Sequence, residues 1–312
     1  MTIRLGYQIP NFTYPDTPVE KLFDTVVAQA REAEASGFDT VMVMDHFYQM
    51  PGIGPVTDPM LECYTTLGAL ATATSSIQLS ALVTGNTYRN PALLAKTVTT
   101  LDVVSGGRAI LGIGAGWFEK EHDGYGFEFG TVSERIARLE EALQIIAPML
   151  RGEAPTFDGS WYQAQDALNN PRLRPTIPIM LGGAGERKTF ALAARFADHM
   201  NIICDRDDLP RKVAALRQRC EEIGRDPATL ASSFLAFVIM RESEAEARQP
   251  IERIPPDRRR RIFAGTPEQV AEELQHDVLD LGITGLTINM MLNGHEPGVV
   301  DRAGRALRPL VS

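Results

Sequence analysis

The chain has 312 residues, 44% hydrophobic and 23% charged, the proportions of an ordinary soluble globular protein; one large α/β domain would use up this length. With 40 acidic residues against 31 basic ones the net charge is −9, which excludes general nucleic-acid binding through a phosphate-neutralising surface. No apolar run approaches the roughly 18 to 20 residues of a membrane helix. The start, Met1-Thr2-Ile3-Arg4-Leu5-Gly6, passes into a strand-like segment with no secretory apolar region. Cys63, Cys204 and Cys220 are widely separated, which points away from a disulfide scaffold or zinc knuckle and toward a reducing cytoplasm. No His-Glu-x-x-His and no Gly-x-Ser-x-Gly occurs, so zinc-protease and α/β-hydrolase chemistry lose their sequence support.

Short apolar runs alternate with stretches of helical period. The first strand is expected at 3–9, followed by a helix at 19–36 with Leu22, Val26, Ala30 and Ala33 on one face, Pro18 before it and Gly37 after it. Strands at 40–44, 77–83, 108–113, 177–181, 200–203, 234–240 and 286–290 follow. Helices at 60–73, 91–104, 131–150, 186–196, 209–223 and 267–281 lie between them, with one more helix after the last strand. Near-continuous apolar runs such as Thr40-Val41-Met42-Val43-Met44 read as parallel strands buried on both faces. Eight β-then-α units predict one (β/α)8 TIM barrel over 1–312, with insertions at 47–59, 117–130, 155–175 and 243–263. The third insertion carries an Asp158-Gly159 turn that predicts a small hairpin. The basic run Arg258 to Arg261 reads as a solvated face.

Barrel active sites gather at the C-terminal ends of the strands, so the residues after each apolar run matter most. Asp45-His46-Phe47 follows the second strand. The histidine there exchanges a proton near neutral pH or contacts a ligand; the alternative is a structural histidine with Asp45 capping a turn. Gly182-Gly183-Ala184-Gly185 leads into a helix, with Arg187 and Lys188 expected in its first turn. That is either a phosphate cradle or a tight turn that needs glycine for its dihedrals. Gly112-x-Gly114-x-Gly116 lacks the Rossmann spacing and reads as close approach to a flat ligand or as strand packing. Glu121 either faces the mouth or is solvated. His122, His276 and His295 are expected at the surface, and His199 at the structural end of the barrel.

Several ordered motifs resemble the luciferase-like oxidoreductase superfamily: Asp45-His46-Phe47, Thr87-Tyr88-Arg89-Asn90-Pro91-Ala92, and Leu101-Asp102-x-x-Ser105-Gly106-Gly107-Arg108. So do Leu111-Gly112-Ile113-Gly114-Ala115-Gly116-Trp117 with Glu121 and Gly126, Pro178 through Arg187, and Ala194-x-x-Ala197-Asp198. The likeness runs from about 3 to 290 and is greatest to the coenzyme F420-dependent branch. It implies a barrel that holds a deazaflavin at its C-terminal mouth and often forms a homodimer. By resemblance, Asp45 and His46 lie near the deazaflavin ring. Ala81-Leu82 corresponds to a non-proline cis peptide against the cofactor face, with Thr84 beside it. Ala115 and Gly116 touch the ring or ribityl chain, and Gly182, Gly183, Ala184, Gly185 and Arg187 hold the phosphate. Sugar-phosphate dehydrogenases of the superfamily carry a tryptophan four residues after the Asp-His pair and a glutamate in the fourth-strand loop. This chain has Met50 and Trp117 there, with Glu121 as the available substitute.

The resulting expectation is metal-free hydride transfer between coenzyme F420 and a small organic molecule. His46 moves the proton, Asp45 positions the ring, Glu121 is a further catalytic candidate, and Tyr7, Met50 and Trp117 wall the substrate side. The alternatives are an FMN-dependent monooxygenase on the same fold and a non-catalytic deazaflavin carrier or sensor.

Overall fold

The computed structural model describes residues 3–254 and 256–311. The reading of Met1-Thr2 and the side chain of Arg258 within the basic run fall outside the described residues. Eight parallel strands close into a barrel: β1 Leu5–Gln8, β2 Thr40–Val43, β3 Gln78–Ala81, β4 Ala109–Gly114, β5 Ile179–Gly183, β6 His199–Ile202, β7 Ala231–Met240 and β8 Gly285–Asn289. Each pairs with the next, and β8 returns to β1 with Leu5 opposite Leu286. The ring of helices is α1 Val19–Ser36, α2 Cys63–Ala73, α3 Pro91–Val104, α4 Val132–Leu150, α5 Thr189–Phe196, α6 Leu209–Glu222, α7 Pro267–Asp277 and α8 Val299–Leu307. This is the (β/α)8 TIM barrel expected from the sequence.

Strand alternation separates two cores. Met42, Leu82, Ile110, Met180 and Leu235 fill the barrel, while Leu5, Tyr7, Val41, Leu79 and Leu111 face the helices. Toward the N-terminal end the interior turns polar. His199 bonds Ser233 Oγ at 2.7 Å, and Asn201 donates to Ser233 Oγ at 2.7 Å and to Thr287 Oγ1 at 3.0 Å.

Local signals set the helix ends. Gly37 closes α1 in the left-handed region at φ 97°. Asn90 caps α3 ahead of Pro91, and Thr131 with Glu134 forms a capping box for α4. Two helices start later than expected: α2 at Cys63, where the Glu62 side chain accepts from Thr65 N, and α5 at Thr189.

Part of the motif 101–108 is scaffold. Asp102 accepts from Ala109 N at 3.2 Å and pairs with Arg174. Arg108 donates to the carbonyls of Ala71, Thr74 and Ile77.

The insertions decorate the mouth. Residues 119–125 form a short helix, and Phe157–Asp158 pairs antiparallel with Gln163–Ala164 in the expected hairpin. Glu141 of α4 holds that hairpin by accepting from the backbone N–H groups of Ser160, Trp161 and Tyr162. A further strand, Ile262–Gly265, pairs with the extension of β7 beyond the barrel, Phe237 opposite Ile262. The sequence reading ran its last insertion to 263, into the first half of this strand, because the apolar run is too short to show a period.

Candidate active site at the barrel mouth

The exit of β2 and the short helix 119–125 meet at one carboxylate. Glu121 is fully buried. Its Oε1 accepts from the N–H groups of Phe47 at 2.5 Å and Tyr48 at 2.8 Å. Its Oε2 accepts from the Tyr88 hydroxyl at 2.7 Å and lies 2.8 Å from His46 Nδ1. Burial alone pushes the Glu121 pKa up, but the His46 ring and these donors outweigh it and hold the carboxyl below its ordinary value. An ionised carboxylate only accepts hydrogen bonds, so the proton between them sits on Nδ1. Nε2 is then the basic end of the ring. Trp117 lies edge-on to that imidazole at 5.6 Å, and Phe118 at 5.9 Å.

Asp45 has a different task from the one expected. Its two oxygens accept from the Arg89 guanidinium at 2.7 and 3.0 Å, and Oδ2 also accepts from Gly85 N at 3.1 Å. Arg89 reaches Glu62 as well, at 2.7 Å. Burial opposes the Arg89 charge, but the Asp45 carboxylate more than offsets it and raises the guanidinium pKa. Asp45 therefore ties the β2 exit to the β3 exit, and Glu121 positions the His46 ring.

The floor of the mouth is apolar. Val83, Ile203 and Phe237 are partly buried above Leu82, Met180 and Leu235. A non-proline cis peptide does lie at the β3 exit, at Leu82–Val83, one residue later than the resemblance implied. The glycines of neighbouring strands answer to Val83. A Cβ on Gly182 would lie 2.6 Å from Val83 Cγ1, and one on Gly114 2.9 Å from Val83 Cγ2. Gly116 takes φ +79°, with Thr87 Oγ1 beside it. The stretches Gly114-Ala115-Gly116 and Gly182-Gly183-Ala184 give this side of the mouth a wall nearly free of side chains.

Three expected ligand contacts point elsewhere. Tyr7 faces the helices, its hydroxyl donating to Gln29 Oε1 at 2.8 Å. Thr84 Oγ1 lies 2.6 Å from the Tyr64 hydroxyl of α2, and the Ala81 side chain is in the outer core. One parity error in the strand turns a side chain from mouth to helix layer. Met50 is partly buried in a turn of the β2 insertion, where its carbonyl accepts from Ile53 N. Trp117 stands at the mouth, 56% exposed and stacked on Phe118.

Beyond β5, Ala184 and Gly185 lead through a turn at 186–188 into α5. Arg187 and Lys188 therefore precede the helix instead of occupying its first turn. Arg187 is exposed, and Lys188 Nζ donates to Ser133 Oγ at 2.9 Å. Lys212 of α6, which no motif signals, donates to Ala184 O at 2.8 Å and pairs with Glu186 at 2.8 Å. The loop has the cations and the helix start that favour an anion.

His122 differs from the surface position expected of it, whereas His199 does lie at the structural end of the barrel. His122 is buried, with Nε2 2.7 Å from Thr87 Oγ1 and Nδ1 donating to Phe118 O at 2.9 Å. His199 lies inside the barrel, where burial lowers its pKa to about 3. Tyr88 and Arg89 belonged to a recognised motif, but their partners are distant in sequence and were not legible there.

Fold and site together define a barrel enzyme whose mouth carries a carboxylate-held histidine and an apolar, glycine-walled floor. The chain belongs to the luciferase-like monooxygenase family, whose model matches residues 3–260, and it is an oxidoreductase of that superfamily. It is 33% identical over 70% of its length to an F420-dependent glucose-6-phosphate dehydrogenase of Kineococcus radiotolerans, spanning 64% of that protein. It is 29% identical over 83% of its length to a 5,10-methylenetetrahydromethanopterin reductase of Methanolobus tindarius, spanning 72% of it. Its fold matches that of an F420-dependent secondary alcohol dehydrogenase, solved in complex with an F420-acetone adduct, with a TM-score of 0.82 at 20% identity over the whole of both chains.

Proposed function

We propose that this protein transfers a hydride between coenzyme F420 and a small organic substrate. The observation that carries the reading is His46, held through Nδ1 by the buried Glu121 carboxylate so that Nε2 is free to exchange a proton beside the apolar floor. The F420-dependent relatives support the choice of cofactor. Bound there, a deazaflavin supplies a ring carbon that takes or gives a hydride.

The residues present fit such a group. Val83, Ile203 and Phe237 offer an apolar surface to one face of a planar ring. Ala115, Gly116 and Gly182 leave room at its edge, and Gly183 to Arg187 meet a phosphate with the start of α5. Tyr88 and the two backbone N–H groups fix Glu121, and Glu121 fixes the imidazole. The proton is thus exchanged at one defined atom, His46 Nε2, while the floor excludes water.

The family's description as monooxygenases favours FMN as the second reading, because the glycine loop accepts the phosphate of either cofactor. Titration of the purified protein with F420 and, separately, FMN, followed by fluorescence, decides between them. Tight F420 binding with weak FMN binding is expected. The reverse would move the assignment to a monooxygenase, and binding of neither would remove the cofactor reading altogether. Tight F420 binding without turnover of any substrate would leave a carrier or sensor.

The reading extends to a homodimer in a reducing compartment. Leu93, Val103 and Val104 expose apolar side chains on the outer face of α3, and the three cysteines are buried free thiols. Sedimentation of the purified protein at the mass of one chain would overturn the dimer.

A further inference from the structure

The two insertions that meet at Glu121 bring a set of aromatic rings to the mouth. Phe47 stacks on Tyr125 with ring centroids 4.4 Å apart, Tyr125 faces Phe127 at 6.4 Å, and Phe47 touches Tyr88 at 4.7 Å. On the other side of the carboxylate, Trp117 lies flat on Phe118 at 5.2 Å with an interplanar angle of 16°. Trp117 is 56% exposed and edge-on to His46, so one face of the indole is open beside the proton-exchanging ring. Exposed aromatic surface of this kind next to a reacting group is a binding surface for apolar ligands.

The charges around this wall are spent internally. The Arg89 guanidinium is taken by Asp45 and Glu62. Arg135 gives its N–H groups to the carbonyls of Gly116 and Gly130 while lying 3.7 Å over the Phe129 ring. The Glu121 carboxylate already accepts from four donors. A phosphorylated substrate beside His46 would have to draw Arg89 or Arg135 out of buried or half-buried pairings, which is costly.

We propose that the substrate face takes an uncharged, apolar, ring-bearing alcohol or its carbonyl partner, stacked on Trp117, and not a sugar phosphate. This rests on the hydride-transfer reading. In the oxidising direction the alcohol C–H would give its hydride to an oxidised deazaflavin, the O–H proton would pass to His46 Nε2, and the C–O bond would become a carbonyl. Reduction of the carbonyl runs the same exchange backwards.

The test uses the protein's own fluorescence. Trp117 and Trp161 are its two tryptophans, and Trp161 lies on the surface hairpin, so Trp161→Phe leaves Trp117 as the reporter. Titration of this variant, without cofactor, with cyclohexanol should shift the emission to the blue and saturate, whereas glucose 6-phosphate should produce no shift. A response to glucose 6-phosphate, or none to cyclohexanol, overturns the proposal. In the F420-loaded protein, Trp117→Ala should raise KM for cyclohexanol about ten-fold and leave F420 affinity unchanged, with Trp117→Phe in between. An unchanged KM in Trp117→Ala would equally refute the stacking. Failure of F420 to bind, with the cyclohexanol response intact, would sink the deazaflavin reading while upholding the apolar substrate face.

Discussion

At the scale of single residues, the site depends on a division of labour between His46 and Glu121. In the proposed reaction His46 exchanges the proton on the substrate side, and Glu121, 2.8 Å from Nδ1, fixes which nitrogen does so. His46→Ala should cut turnover about 10²- to 10⁴-fold while F420 affinity stays nearly the same, since the ring supplies proton transfer and little binding area. An unchanged rate would remove His46 from the mechanism. Glu121→Gln keeps the shape but loses the charge, and its amide cannot accept from four donors at once. Turnover should fall about 10- to 100-fold, as when the partner that orients a working histidine is lost. His46→Ala in the Glu121→Gln background should then cost much less than in the parent, because the two act as a unit. Additive losses in that double-mutant cycle would show that Glu121 only supports the loop.

At the scale of elements, the floor is made by the way three strand exits pack. Val83 at the β3 exit occupies the space that side chains on Gly114 of β4 and Gly182 of β5 would need. Gly182→Ala puts a methyl 2.6 Å from Val83 Cγ1, so Val83 must move into the floor. The cost is about 1–3 kcal/mol of overpacking. F420 affinity should drop at least ten-fold, and Val83→Ala in the same chain should restore much of it by vacating that space; failure of the second substitution to rescue would place the floor elsewhere.

These packing relations also mark how far the sequence is legible. The eight barrel strands were readable because parallel strands buried on both faces are continuous apolar runs, as at Thr40–Val43. The facing of Tyr7, Ala81 and Thr84 was not, because it turns on register parity that composition does not carry. Motif recognition located His46, Glu121 and the glycine loops. The bond between His46 and Glu121 spans 75 positions, and Lys212 reaches Ala184 from another helix, so both needed the folded chain.

At the scale of the whole molecule, the barrel interior makes stability depend on pH through His199. Its ring is buried beside Ser233, and burial lowers its pKa from 6.5 to about 3. Below pH 6.5 the unfolded chain takes up a proton that the folded chain refuses until about pH 3, so stability present above 6.5 is lost as pH falls through that window. The slope from one such group is at most about 1.4 kcal/mol per pH unit. Burial raises the folded pKa values of Asp39 and Asp45 above the ordinary 3.8, so these two carboxyls act in the opposite direction to His199 as pH falls. Glu62 and Glu121 have folded pKa values below the ordinary 4.5, so their contribution is present above 4.5 and lost in stronger acid. Exposed His276, raised by Asp277, acts in the opposite direction to His199. Between pH 6.5 and 5 the buried histidine is therefore the main acid-sensitive group among these. Urea unfolding at pH 7, 6 and 5 should show a steady loss of stability in the parent chain. His199→Asn keeps a polar partner for Ser233 but cannot be protonated, so its stability should be lower at pH 7 and nearly flat over the same range. Parallel pH profiles for the two proteins would mean that His199 is not held neutral in the barrel, and the acid sensitivity would then have to come from the mouth.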